Sequence, residues 1–147
     1  LLNCGKRLFH KERYEAALQA FMHSISVLEK PGQALTSDEL EWRGAMLHNM
    51  ASCLHHLDEL DAALTYYELA IASFRHAERL LYGLAAESSE SHVPSRLPLS
   101  SGDTINKRRI HFVNQRLLAI RLRLPPDTHS YMDSDGVRRQ VHKSRSP

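Results

Sequence analysis

At 147 residues, 42% of them hydrophobic and 24% charged, the chain has ordinary globular composition and the length for one core and one domain. No run approaches the roughly 18 apolar residues of a membrane span, and Cys4 and Cys53, with no Cys-x-x-Cys, exclude a disulfide framework in favour of buried, reduced thiols in an intracellular protein. The net charge of +2 conceals an asymmetry, because residues 1–85 carry 8 Lys/Arg and 11 Asp/Glu, net −3, whereas residues 86–147 carry 11 and 6, net +5.

Leu1 to His10 reads as a helix, Lys11 to Arg13 as a turn, and Tyr14 to Lys30 as a second helix stopped by Pro31-Gly32. Because Leu1 already falls inside a helix, the natural start is expected upstream, and with it any targeting segment. Thr36-Ser37-Asp38-Glu39 offers a capping box that starts a helix running to about Leu57. Asp58 and Glu59 turn the chain into a helix from Leu60. No Gly, Pro or Asn interrupts it before Gly83, and Phe74, Ala77, Leu81 and Leu84 continue its apolar stripe, so about 26 residues or ~39 Å of helix are expected. Glu87 to Asp103 is Ser- and Pro-rich and reads as a loop. Asp103 or Thr104 caps a last helix, to about Leu124, stopped by Pro125-Pro126. Its stripe of Ile110, Val113, Leu117, Ile120 and Leu124 predicts an antiparallel pair in which Val113, Leu117 and Ile120 meet Phe74, Ala77 and Leu81, with Arg108, Arg116 and Arg123 outward. Asp127 to Pro147 has too few apolar residues to fold alone. It is expected to lie along acidic surface of another chain through Arg138, Arg139, Lys143 and Arg145.

One unit is used twice. Glu15 to Ser24, EAALQAFMHS, recurs 46 residues on as Asp61 to Ala70, DAALTYYELA, and the register aligns Gly5 with Ala51, Leu8 with Leu54, Ala17 with Ala63, Phe21 with Tyr67 and Ile25 with Ile71. A small residue in one helix and an alanine and an aromatic in the next is the spacing of two helices packed through small side chains, neither of which can bury its apolar face alone. Over roughly residues 1–85 these positions resemble the tetratricopeptide (TPR) repeat. The sequence departs from it in having Leu1 and Leu47 where Trp is favoured, and a period of 46 against the usual ~34. The lengthened junction, Pro31 to Arg43, is similar to that of immunophilin-type co-chaperone TPR domains.

Catalytic chemistry finds no motif. There is no Gly-rich phosphate loop, no supported Ser-His-Asp order, and no paired carboxylates in an apolar setting. Ten histidines are many, but His48 and His55 stand two turns apart, too far to share one ion, and read as partly exposed. Asp133-Ser134-Asp135-Gly136 imitates a calcium loop without its closing Glu and reads as a turn. No enzyme, cofactor or metal is expected. Lys107, Arg108, Arg109, Arg116, Arg121 and Arg123 make the last helix basic, a match for an acidic protein surface or, with only Phe112 available for base stacking, less well for RNA. The resemblance also implies the carboxylate clamp by which co-chaperone TPR domains grip an acidic peptide. Asn49 occupies its second-repeat Asn position, whereas Asn3 stands where Lys is wanted and Lys6 where Asn is wanted.

The expectation is therefore an all-α, TPR-like stack of antiparallel hairpins at about 1–30 and 37–87, with an elongated second B helix, a loop at 88–103, a capping helix at 104–124 and an extended basic tail at 125–147. Its role would be that of a non-catalytic structural subunit or scaffold, cytoplasmic or cytoskeleton-associated, with a chaperone adaptor and an RNA-associated protein as alternatives. Asn3, Lys6, Lys11, His48, Asn49, Ser52 and His56 are expected to line an open groove for a peptide or partner helix. Arg108, Arg109, Arg116, Arg123 and the tail cations would meet acidic partner chains.

Overall fold

The computed structural model describes residues 2–88, 101–126 and 131–132. These residues form five α-helices and no strand: α1 Leu2–His10, α2 Tyr14–Leu28, α3 Ser37–His56, α4 Leu60–Ser88 and α5 Ser101–Arg121. Each helix packs on its neighbour in the chain, and α3 also touches α5. The loop expected at 88–103 falls largely on residues 89–100, outside the described residues.

Local chemistry sets the ends. Thr36 Oγ1 accepts from the Glu39 amide at 3.2 Å and Glu39 Oε1 accepts from the Thr36 amide at 3.0 Å, the expected capping box at the start of α3. Helix α2 stops at Leu28, two residues before Lys30, and an Arg43–Glu29 ion pair ties the connection after it to α3. Helices α1, α3 and α5 all end in one backbone device. The second residue after the helix is left-handed, Glu12 at φ 59°, Asp58 at φ 62° and Arg123 at φ 56°. In each case the next amide reaches back five residues, from Arg13 to Leu8, Glu59 to Leu54 and Leu124 to Ala119. This is the Schellman closure, usually formed at glycine. Glu12 and Asp58 are 46 positions apart, so the repeated sequence makes a repeated turn.

Within each hairpin a glycine lets an aromatic ring meet the backbone. A Cβ on Gly5 would stand 2.5 Å from the ring of Phe21, and one on Gly44 would stand 2.6 Å from that of Phe74. Ala17 and Ala63 are both fully buried, as their spacing requires. Ala63→Leu is expected to overpack this contact and cost about 1–3 kcal/mol in urea denaturation. An unchanged midpoint would mean that the alanine does not mark a close approach.

Helix α4 runs antiparallel to α3, with Ser73 Oγ donating to the Leu40 carbonyl at 2.7 Å near one end and the rings of Tyr67 and His48 5.5 Å apart further along. Helix α5 lies beside α3 in the same direction. Arg109 bonds Glu41, Phe112 lies 5.4 Å from His48, and the Leu124 carbonyl takes a hydrogen bond from His55. It is therefore antiparallel to α4, with Val113, Leu117 and Ile120 in the core that also contains Phe74, Ala70 and Tyr67. Expectations for this helix need correction, and its start is one of them, since it begins at Ser101, ahead of the expected cap at Asp103 or Thr104. It ends at Arg121, because the left-handed turn at Arg123 precedes Pro125-Pro126, and Leu124 is 51% exposed. Arg109 does not face a partner, since an acidic side chain on α3 lets it be buried at 4% exposure.

Candidate functional site

The face formed by α1, α3 and α5 carries most of the predicted groove residues. Asn49, in the middle of α3, has a side-chain amide with N–H donors and an acceptor oxygen, the complement of one residue's backbone carbonyl and amide. Asn49 Nδ2 donates to the Met132 carbonyl at 2.8 Å, and Asn49 Oδ1 accepts from the Met132 amide at 2.8 Å. Both residues are fully buried. The adjoining Tyr131 ring rests among Phe9 at 5.6 Å, His10 at 5.6 Å and Phe21 at 6.0 Å, with Lys6 Nζ 5.8 Å from its centre. Phe9 in turn meets His56 edge-on, and His56 stacks flat on Tyr14 at 4.0 Å.

This face is thus covered by the chain's own residues, which corrects the expectation of an open groove. His48, Asn49 and Ser52 are fully buried, because Phe112 on α5 and Met132 cover positions that two hairpins alone would leave in water. Lys6 and His56 are half-buried, Lys11 is exposed, and the side chain of Asn3 lies outside the described residues. The tail, expected to lie on another chain, instead packs at Tyr131-Met132 on its own helices, since these two are bulky apolar residues in a polar segment. Arg138, Arg139, Lys143 and Arg145 lie outside the described residues. Arg108 on α5 and Arg123 in the turn after it are exposed, whereas Arg116, expected outward, is half-buried with its guanidinium 4.6 Å from the Phe112 ring.

The histidines read as partly exposed are also corrected. His48 is 0% and His55 4% exposed, because α3 is packed on three sides. Burial, opposed by the bond to Asn49 and aided by the Arg116 charge, pushes the His48 imidazole down to about 3. The ring is neutral and its Nδ1 lies 3.2 Å from Asn49 Oδ1, an acceptor, which assigns the proton to Nδ1. His55 is lowered as well, again chiefly by burial, and its Nε2 donates to the Leu124 carbonyl at 3.1 Å. Both folded-state values lie below the unfolded one, so the unfolded chain binds the extra protons. Stability is therefore complete above pH ~6.5 and is lost as pH falls towards the folded values, by up to about 1.4 kcal/mol per pH unit for each histidine. Thermal melts from pH 7 to 4.5 are expected to show this slope, and His48→Gln to flatten it. A slope unchanged in that variant would remove His48 as the cause.

Cys53 is buried, and its thiol is pushed up to about 12 by burial, which keeps it unreactive. Cys4 is exposed, not buried as expected, because α1 turns that position to solvent. Among the described residues no group of three His, Cys, Asp or Glu is placed to hold a metal, and no helix is long and apolar enough to cross a membrane. The arrangement has the means to hold an extended backbone and an aromatic side chain. Phe9, Tyr131 and Met132 were missed in the sequence; the one signal for the last two was a pair of large apolar residues standing alone between Asp127 and Asp133. No family model, no curated protein and no solved structure matches the chain.

Proposed function

We propose that the chain is a non-catalytic protein-interaction module on TPR-like helical hairpins, acting as a structural subunit or scaffold in a larger assembly. The observation that carries this reading is the pair of 2.8 Å bonds from Asn49 to the backbone of Met132, which makes the α1–α3–α5 face a holder of extended polypeptide. The shared Schellman ends of α1, α3 and α5 support a repeated architecture in which α5 takes the place of a third A helix. The exposed Arg108 and Arg123 add a basic outer edge suited to an acidic protein surface.

The test places a photoreactive amino acid at Lys11 or Arg108 in cells that make the protein. The same discrete protein adducts are expected in repeated captures, with those from Arg108 weakened by salt. Adducts confined to RNA, or a protein that migrates in lysate as a lone monomer, would overturn the proposal.

A further inference from the structure

The seat of Tyr131 and Met132 separates into two kinds of recognition. Asn49 reads only a backbone carbonyl and amide, which any extended segment presents. Side-chain selection lies beside it, in the slot of Phe9, His10 and Phe21 that takes an aromatic ring, and in the buried site of the following methionine. Next to the slot is a hollow lined by Lys6, Arg7, His10 and Lys11. In the sequence the pair is followed by Asp133-Ser134-Asp135, so the segment that fits this seat carries acidic residues after its apolar pair, opposite in sign to the hollow.

We propose that this face is a docking site for an extended segment of a partner protein, an aromatic residue followed by an unbranched aliphatic one with acidic residues after them, and that Tyr131-Met132 is its competitor in cis. The inference rests on the interaction-module reading and adds the ligand class and its control. The reason for competition is physical. An emptied seat takes both backbone bonds from Asn49 and opens the rings of Phe9 and Phe21 to water, so the face is more stable filled than empty. A segment of the same chemistry restores each of these contacts, and exchange of one occupant for the other leaves the balance of buried polar groups unchanged. Apparent affinity for the partner is then reduced by the fraction of molecules whose own tail is seated.

The probe is a fluorescein-labelled peptide covering residues 127–136, added to the full chain. It is expected to bind the Tyr131→Ala chain at least about ten-fold more tightly than the wild-type chain. Adding Asn49→Ala to that chain, or replacing the peptide's tyrosine by alanine, should abolish binding. A peptide with both Asp133→Asn and Asp135→Asn should bind more weakly and lose its salt sensitivity. Equal binding to the two chains, or no binding to a Tyr131→Ala chain that retains helical circular dichroism, overturns the proposal. If that variant does not fold, amide exchange in the wild-type chain decides. Faster exchange at Met132 with excess peptide supports displacement, and unchanged exchange overturns it. Loss of peptide binding with intact photo-adducts would refute the seat and leave the scaffold reading standing. Peptide binding without adducts would do the reverse.

Discussion

Phe74→Ala is expected to destabilise the protein by about 3–5 kcal/mol, read as a lower urea midpoint and a melting temperature down by about 10 °C or more. The ring is fully buried between three helices. It belongs to α4, presses on the backbone of α3 at Gly44, and has the Arg109 guanidinium of α5 5.7 Å from its centre. One wall of the resulting void is glycine backbone, with no side chain to swing in, so the cavity term adds to the lost transfer free energy. Gly44→Ala alone should also destabilise, because its Cβ would stand 2.6 Å from the ring. In the Phe74→Ala background the same methyl has space, so the two changes are expected to be strongly non-additive. Additive losses would mean that ring and glycine do not share one contact.

Glu41→Ala is expected to cost about 3 kcal/mol, because it strands a buried cation. Arg109 Nη1 lies 2.9 Å from Glu41 Oε2 and donates to Asn106 Oδ1 at 3.0 Å, while Asn106 Nδ2 donates to Glu41 Oε1 at 3.3 Å. The Arg109 side chain is 5% exposed and that of Glu41 21%, so water reaches the carboxylate but hardly the guanidinium. That difference makes removal of Glu41 costly. The double variant Glu41→Ala with Arg109→Met should recover most of the loss, since no charge is left buried. A single-variant loss below about 0.5 kcal/mol would class the pair with exposed ion pairs.

The same ion pair shows where sequence reading stopped. The buried face of α5 is Asn106, Arg109, Val113, Leu117 and Ile120, in steps of three and four. Its apolar part was legible, but its first two members are polar, and periodicity took the stripe to begin at Ile110. Arg109 can be buried only because Glu41, 68 positions away, meets it there. The capping box at Thr36, the long α4 and the paired alanines at 17 and 63 were legible because each depends on chemistry within a few residues or on direct repetition. Helix α3 was harder. Packed on several sides, it buries His48, Asn49, Ser52 and Cys53 together, and a helix so enclosed loses the one-sided pattern that marks inside from outside. The sequence placed His48, Asn49 and Ser52 on an open face and missed their cover, because Tyr131-Met132 lies in a segment whose composition argues against any fixed place.

The seated dipeptide also bears on the order of folding. Most contacts among the helices join chain neighbours, the local kind that forms quickly with little loop-closure entropy. The Asn49–Met132 bonds instead join residues 83 positions apart, and their seat does not exist until α1, α2 and α3 are already packed. Pulse-labelled amide exchange during refolding is accordingly expected to protect the α3–α4 hairpin first and the Met132 amide last. A chain leaving the ribosome would have the Asn49 face assembled and open for the interval before Tyr131 and Met132 emerge to close it.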